Sequence, residues 1–99
     1  MHPDISFDAA KSLKNEIERG LPFTLVEMLQ WDSALIQEDT RHNYGERRYR
    51  VLGWIDARLH AMVFTPRSDK AHVISQRKAN AREVKHYEQT QNSSAHTRH

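Results

Sequence analysis

The chain has 99 residues, 37% of them hydrophobic and 28% charged, no cysteine and a formal net charge of +2. That suffices for one modest core and leaves no room for a second, and it closes the disulfide, thiolate and cysteine-zinc routes to stability or catalysis. No run approaches the roughly 18 consecutive apolar residues of a membrane span, and the opening MHPDISFD lacks the basic-then-apolar layout of a secretory leader, so a cytoplasmic protein with no membrane partner is expected.

The first predicted element is a helix over 8–19. Ala10, Leu13 and Ile17 recur at three- and four-residue spacing as its apolar stripe, and Gly20 stands where a left-handed C-terminal residue is wanted. Thr24 with Glu27 has the spacing of a capping box, and Phe23 and Met28 occupy the hydrophobic-staple positions, which predicts a short helix over 24–31. From Ser33 the period changes from helix to strand. Runs over 34–38, 47–54, 59–65 and 71–77, joined by short connections apart from the polar loop 39–45, predict an antiparallel meander of about four strands. The third run is apolar on both faces near its middle, as a central strand covered by helices would be.

Asn80 and Glu83, flanked by Ala79 and Val84, repeat the cap-and-staple pattern and open a last helix reaching Tyr87 and Glu88. Beyond Gln89 nothing apolar is larger than alanine, so 90–99 is expected to be a disordered polar tail after a single domain over 1–89. The expected class is therefore α+β: two N-terminal helices, an antiparallel sheet of about four strands and a C-terminal helix.

Charge is divided unevenly along this plan. Residues 1–40 hold three Lys/Arg against eight Asp/Glu, and residues 41–99 hold twelve against five, so the halves carry −5 and +7. A basic half suits a polyanionic partner, because cations displace the counterions condensed on a phosphate backbone; it also suits plain solubility. The densest stretch, Arg41-His42-Asn43-Tyr44-Gly45-Glu46-Arg47-Arg48-Tyr49-Arg50, combines arginine forks that match phosphate with tyrosine faces that stack on unpaired bases. Charges guarding a solvated hairpin edge would read the same way.

Metal-free RNA cleavage needs a base for the 2′-hydroxyl, an acid for the leaving oxygen and cations for the phosphorane. Glu46 or His42 could supply the proton transfers, and Arg67, Arg77 and Lys78 the charge; a meander could bring Arg67 and Arg77 near one end of the sheet. Each also has an ordinary reading, as a salt bridge, a loop histidine or surface charge. His60 and His72, on adjacent predicted strands, make a weak case for a metal without a third ligand. His86 shares a helix face with Arg82 and reads as part of a solvated basic side. No glycine-rich phosphate loop is present, and no cofactor is expected.

Taken together the motifs resemble the BrnT family of ribonuclease toxins. Asp8, Ala10, Lys11, Asn15, Gly20 and Phe23 match that family's opening; Asp39, Arg41, His42, Gly45, Glu46, Arg48, Gly53 and Thr65 follow in order; Ile74, Ser75, Arg77, Lys78, Ala79, Arg82, Glu83 and Tyr87 match its closing signature. The resemblance implies a RelE-like fold and a metal-independent endoribonuclease that arrests translation. It also implies a cognate, BrnA-like antitoxin that neutralises the toxin, with a heterotetramer among the assemblies it allows. Carried over by position, the resemblance puts catalytic arginines at Arg67 and Arg77; with Glu46 and His42 from the reading of the residues they are the expected catalytic set, and Arg41, Arg48, Lys78 and Arg82 are the expected RNA contacts. Glu18-Arg19 departs from the Lys-His usual before the first-helix glycine, which sets the activity in question. The competing function is a non-catalytic module whose basic sheet docks nucleic acid or an acidic protein.

Overall fold

A computed structural model describes residues 3–97, with side chains placed through residue 92. Five strands form one sheet: β1 (Ile5–Phe7), β2 (Leu35–Glu38), β3 (Tyr49–Ile55), β4 (Arg58–Arg67) and β5 (Lys70–Lys78), in the order β1-β5-β4-β3-β2. The meander from β2 to β5 is antiparallel as the sequence predicts. β1 is the strand the sequence reading lacks. It pairs parallel to β5, Ile5 with Ala71 through Phe7 with Val73, and so makes the sheet mixed and five-stranded rather than four-stranded. Ser68 and Asp69, both at positive φ, make the two-residue turn into β5, the geometry that matches strand twist.

Helix α1 (Ala9–Arg19) begins and ends as predicted: the Asp8 carboxylate accepts from the Ala10 and Lys11 amides at 2.9 and 3.2 Å, and Gly20 closes it at φ 71°. Its orientation corrects the expectation. Leu13 and Ile17 are 56% and 75% exposed, while Ser12 and Asn15 are buried. The reason lies in hydrogen bonding: β1 covers only the start of the β5 edge, and side chains of α1 satisfy the Gln76 carbonyl further along it. Asn15 Nδ2 donates to the carbonyls of Leu21 (2.7 Å) and Gln76 (2.9 Å), Arg19 donates to Gln76 O at 3.2 Å, and Ser12 Oγ accepts from the Phe23 amide. A bare strand edge inside a fold costs more than two apolar side chains in water. Glu18-Arg19 thus includes a residue that clamps α1 to the sheet edge.

The segment predicted as a short α-helix is 3-10 helix, Phe23–Met28, followed by a second 3-10 turn, Trp31–Ser33. The first takes Pro22 as its cap with no side-chain cap bond, so the Thr24–Glu27 box does not form, and Met28 is 54% exposed. Phe23, Val26 and Leu29 nevertheless point inward and pack on Val51, Ile55, Met62 and Val73, the core of one sheet face. Gly53 lets Leu29 approach; a Cβ there would stand 3.0 Å from Leu29 Cδ2.

Helix α2 (Ala81–Thr97) covers part of the other face, where Leu59, Ala79 and Tyr87 cluster with Leu35, Leu52, Trp54 and Val84. Its capping box forms as predicted: Glu83 N donates to Asn80 Oδ1 at 2.8 Å and Asn80 N to Glu83 Oε1 at 3.0 Å. Tyr87 OH donates to Ser33 O at 2.8 Å, anchoring the helix to the second 3-10 turn. α2 continues past Gln89, through the stretch expected as a tail, of which residues 98–99 lie outside the described residues.

One core position works against stability. Gln76 is fully buried, and neither end of its amide has a hydrogen-bond partner among the described residues. Gln76→Met, of similar volume and without polar atoms, is expected to stabilise the fold by about 1–2 kcal/mol, read as a raised midpoint in urea unfolding.

Candidate functional site

Strand alternation sorts the functional side chains. Tyr49, Val51 and Ile55 of β3 face the core built on the 3-10 helix, so Arg50, Leu52 and Trp54 face α2. Because α2 covers only the Trp54–Leu59 end, the rest of that face is open, and it carries two concavities. One, of about 240 Å³, is lined by Asp8, Lys11, Glu46, Arg48, Arg67 and His72, among others. The other, of about 510 Å³, lies beside α2; Leu52, Ala61 and Val63 form its floor, His86 lines it, and Arg41, Arg50, Arg77 and Arg82 supply positive charge.

The smaller concavity joins residues far apart in sequence. Glu46, from the loop before β3, pairs with Arg67 at the end of β4 (3.2 Å) and with Arg48 (3.4 Å). The hydrogen bond from Arg67, more than its charge, holds the Glu46 carboxyl below its usual range, so it is ionised at neutral pH. Arg48 also lies 4.2 Å over the Tyr44 ring, a cation–π contact that fixes the loop. On β5, His72 Nδ1 shares a 3.0 Å hydrogen bond with Ser6 Oγ of β1. Burial first, then the positive charges of Arg67 and Lys11, push its imidazole below its ordinary value. His72, weighed on sequence only with His60 as a weak metal pair, is the candidate that the structure adds to this group. Its signal depended on β1, whose three residues announce nothing, and His60 is no partner for it: His60 pairs with Lys78 and His72 with Thr65, at opposite ends of the ladder.

Arg77 does not join this group. Arg67 lies opposite Lys70 and Arg77 opposite Ala61, so the two arginines are six β4 positions apart, about 20 Å at 3.3 Å per residue. Antiparallel neighbours end at opposite edges, which corrects the expectation that both fall near one end. Arg77 is held instead by Glu83, in a two-pronged pair at 2.7 and 2.9 Å, so the residue that caps α2 also fixes this guanidinium. That hydrogen bond leads the causes that raise the Arg77 pKa and lower that of Glu83.

Arg41 is likewise held, by bonds of 2.9 Å from Nε and Nη2 to the two oxygens of Asp39, which is buried and also accepts from Tyr44 OH at 3.1 Å. Arg82 lines the larger concavity from the first turn of α2. Lys78 and His42 stand outside both: Lys78 follows Arg77 and alternates to the opposite face, and His42 is exposed, its ring edge-on to Tyr44 at 5.7 Å.

The Asp39 cluster carries a pH signature. The Arg41 hydrogen bonds hold the Asp39 carboxyl far below the ordinary carboxylate range. Such a group stabilises the fold above its unfolded pKa of about 4 and loses that contribution as pH falls towards the folded value. Native protein is therefore expected to melt higher than Asp39→Asn at pH 7, with the gap narrowing below about pH 4.

Residues 7–83 match a family model described as ribonuclease toxin, BrnT, of type II toxin-antitoxin system. No curated protein matches the chain.

Proposed function

The chain belongs to the BrnT family of ribonuclease toxins of type II toxin–antitoxin systems, and from that premise we propose that it is a metal-independent endoribonuclease whose reacting centre is the Glu46–Arg67–His72 concavity. The observation carrying this reading is that a carboxylate, an imidazole and the cations Arg67, Arg48 and Lys11 line one small cavity. Glu46, ionised, accepts the proton of the attacking 2′-hydroxyl. The new bond joins the 2′-oxygen to phosphorus, and the bond to the 5′-oxygen breaks. Burial, Arg67 and Lys11 oppose protonation of His72, the negative charge of the bound phosphate offsets them, and the imidazolium so formed donates to that leaving oxygen. The exposed Arg67–Glu46 pair is cheap to open, so an incoming phosphate can take the guanidinium and free the carboxylate in one step.

The same proposal includes a RelE-like single domain over residues 1–89, arrest of translation through RNA cleavage, and neutralisation by a cognate antitoxin. Among the described residues no helix is long and apolar enough to cross a membrane. The test is cleavage of a labelled single-stranded RNA by purified protein in excess EDTA. Cleavage that survives the chelator is the expected result. RNA bound but left intact would replace the ribonuclease with the non-catalytic binding module.

A further inference from the structure

The proposed reacting centre occupies one end of the open sheet face, and the larger concavity occupies the other. Two groups of observations define what that second cavity would hold. Its floor is apolar, formed by Leu52, Ala61 and Val63, and its volume of about 510 Å³ falls within the range of small-molecule sites. Its rim is cationic, and the cations differ in how they are engaged. Arg41 and Arg77 are each locked by two bonds to a carboxylate. Arg50 and Arg82 line the same space with no hydrogen bond or ion pair within 4 Å to any described residue; Arg50 acts on Glu83 through charge alone. An apolar floor beneath uncommitted guanidinium groups matches an unpaired nucleotide, whose base seeks an apolar or stacking surface and whose phosphate seeks an arginine fork.

The two concavities share one face of one sheet, with Arg48 and Arg50 as successive α2-facing positions on the path between them. From the cleavage-site reading and this continuity we infer that the cavity beside α2 is a remote nucleotide subsite, binding an unpaired residue of the same RNA strand that is cut at the Glu46–Arg67 end. The separation sets the substrate. The cavities adjoin at Arg48 and Arg50, but from Arg67 in one to Arg77 in the other is about 20 Å along the strand, roughly six nucleotides at about 3.4 Å each and fewer when the RNA is extended. The substrate class is therefore single-stranded RNA of at least about four to six nucleotides, gripped at both ends of the sheet.

The test measures binding, by fluorescence anisotropy, and cleavage of single-stranded oligoribonucleotides of two to ten residues. The proteins are the native chain, Arg50→Ala/Arg82→Ala, and Ala61→Phe, which fills the cavity floor without removing charge; thermal melts verify that each variant is folded. In the native chain the affinity should step up by about tenfold or more as the oligonucleotide becomes long enough to reach the second cavity, and both variants should flatten that step. A smooth rise with length, equal in all three proteins, would overturn the subsite. Native protein that cleaves every length equally well would also overturn it while leaving the ribonuclease reading intact. A step in binding without cleavage at any length would sustain the subsite and sink the ribonuclease.

Discussion

Arg67→Ala is expected to lower the rate of RNA cleavage by about 10²–10³-fold, and Glu46→Gln by about 10²-fold or more, with both variants folded and still binding RNA. Arg67 is the cation with the most to lose. It is more than half exposed and hydrogen-bonded to the carboxylate proposed as base, so it is both the first group a phosphate meets and the group that keeps Glu46 ionised. Its removal takes away charge stabilisation and lets the base drift up towards its ordinary value. Arg77 provides the contrast. Held by Glu83 at a point about 20 Å along the strand from Arg67, it should weaken RNA binding when replaced by alanine more than it slows the chemical step, so KM rises before kcat falls. Single-turnover cleavage over a range of RNA concentrations separates the two. Equal losses of kcat in the Arg67 and Arg77 variants would move the reacting centre away from Glu46.

The second large effect concerns stability and runs against hydropathy. Asn15→Leu is expected to destabilise the fold by about 2–4 kcal/mol, whereas Ile17→Lys should change stability by less than about 0.5 kcal/mol. The amide of Asn15 answers two carbonyls, of Leu21 and Gln76, that water cannot easily reach once α1 is docked, and leucine would leave both unmet. Ile17 is three-quarters exposed and has little contact to lose. Chemical denaturation of the two single variants decides the matter, and a costly Ile17→Lys would mean that α1 packs by its apolar stripe after all.

These two residues also show where the sequence was legible. Helix ends are written in local chemistry, so Gly20, Asn80 and Glu83 could be placed from spacing alone, and the structure bears them out. The meander was legible for the same reason, since its strands are contiguous runs closed by short turns. Facing was not. Which side of α1 turns inward depends on a strand edge contributed by residues about sixty positions away, and Thr24–Glu27 lost its cap role because the turn there tightened to 3-10. The candidate site divides similarly. Glu46 and Arg67 were singled out from residue type and do meet. His72 could not be credited before β1 placed Ser6 beside it, and Arg77 could be separated from Arg67 only once the register was counted.

The parallel pairing of β1 with β5 has a consequence for how such a protein is made. Ile5–Phe7 cannot join the sheet until Ala71–Val73 exist, and the smaller concavity needs Lys11 from one end of the chain and His72 from late in it. On a translating ribosome, the residues proposed to cut RNA are therefore held apart until Ala71–Val73 have been synthesised and have cleared the exit tunnel. The groups proposed to react come together only when β5 returns to meet β1, so the proposed centre does not exist on a nascent chain that has not yet delivered β5.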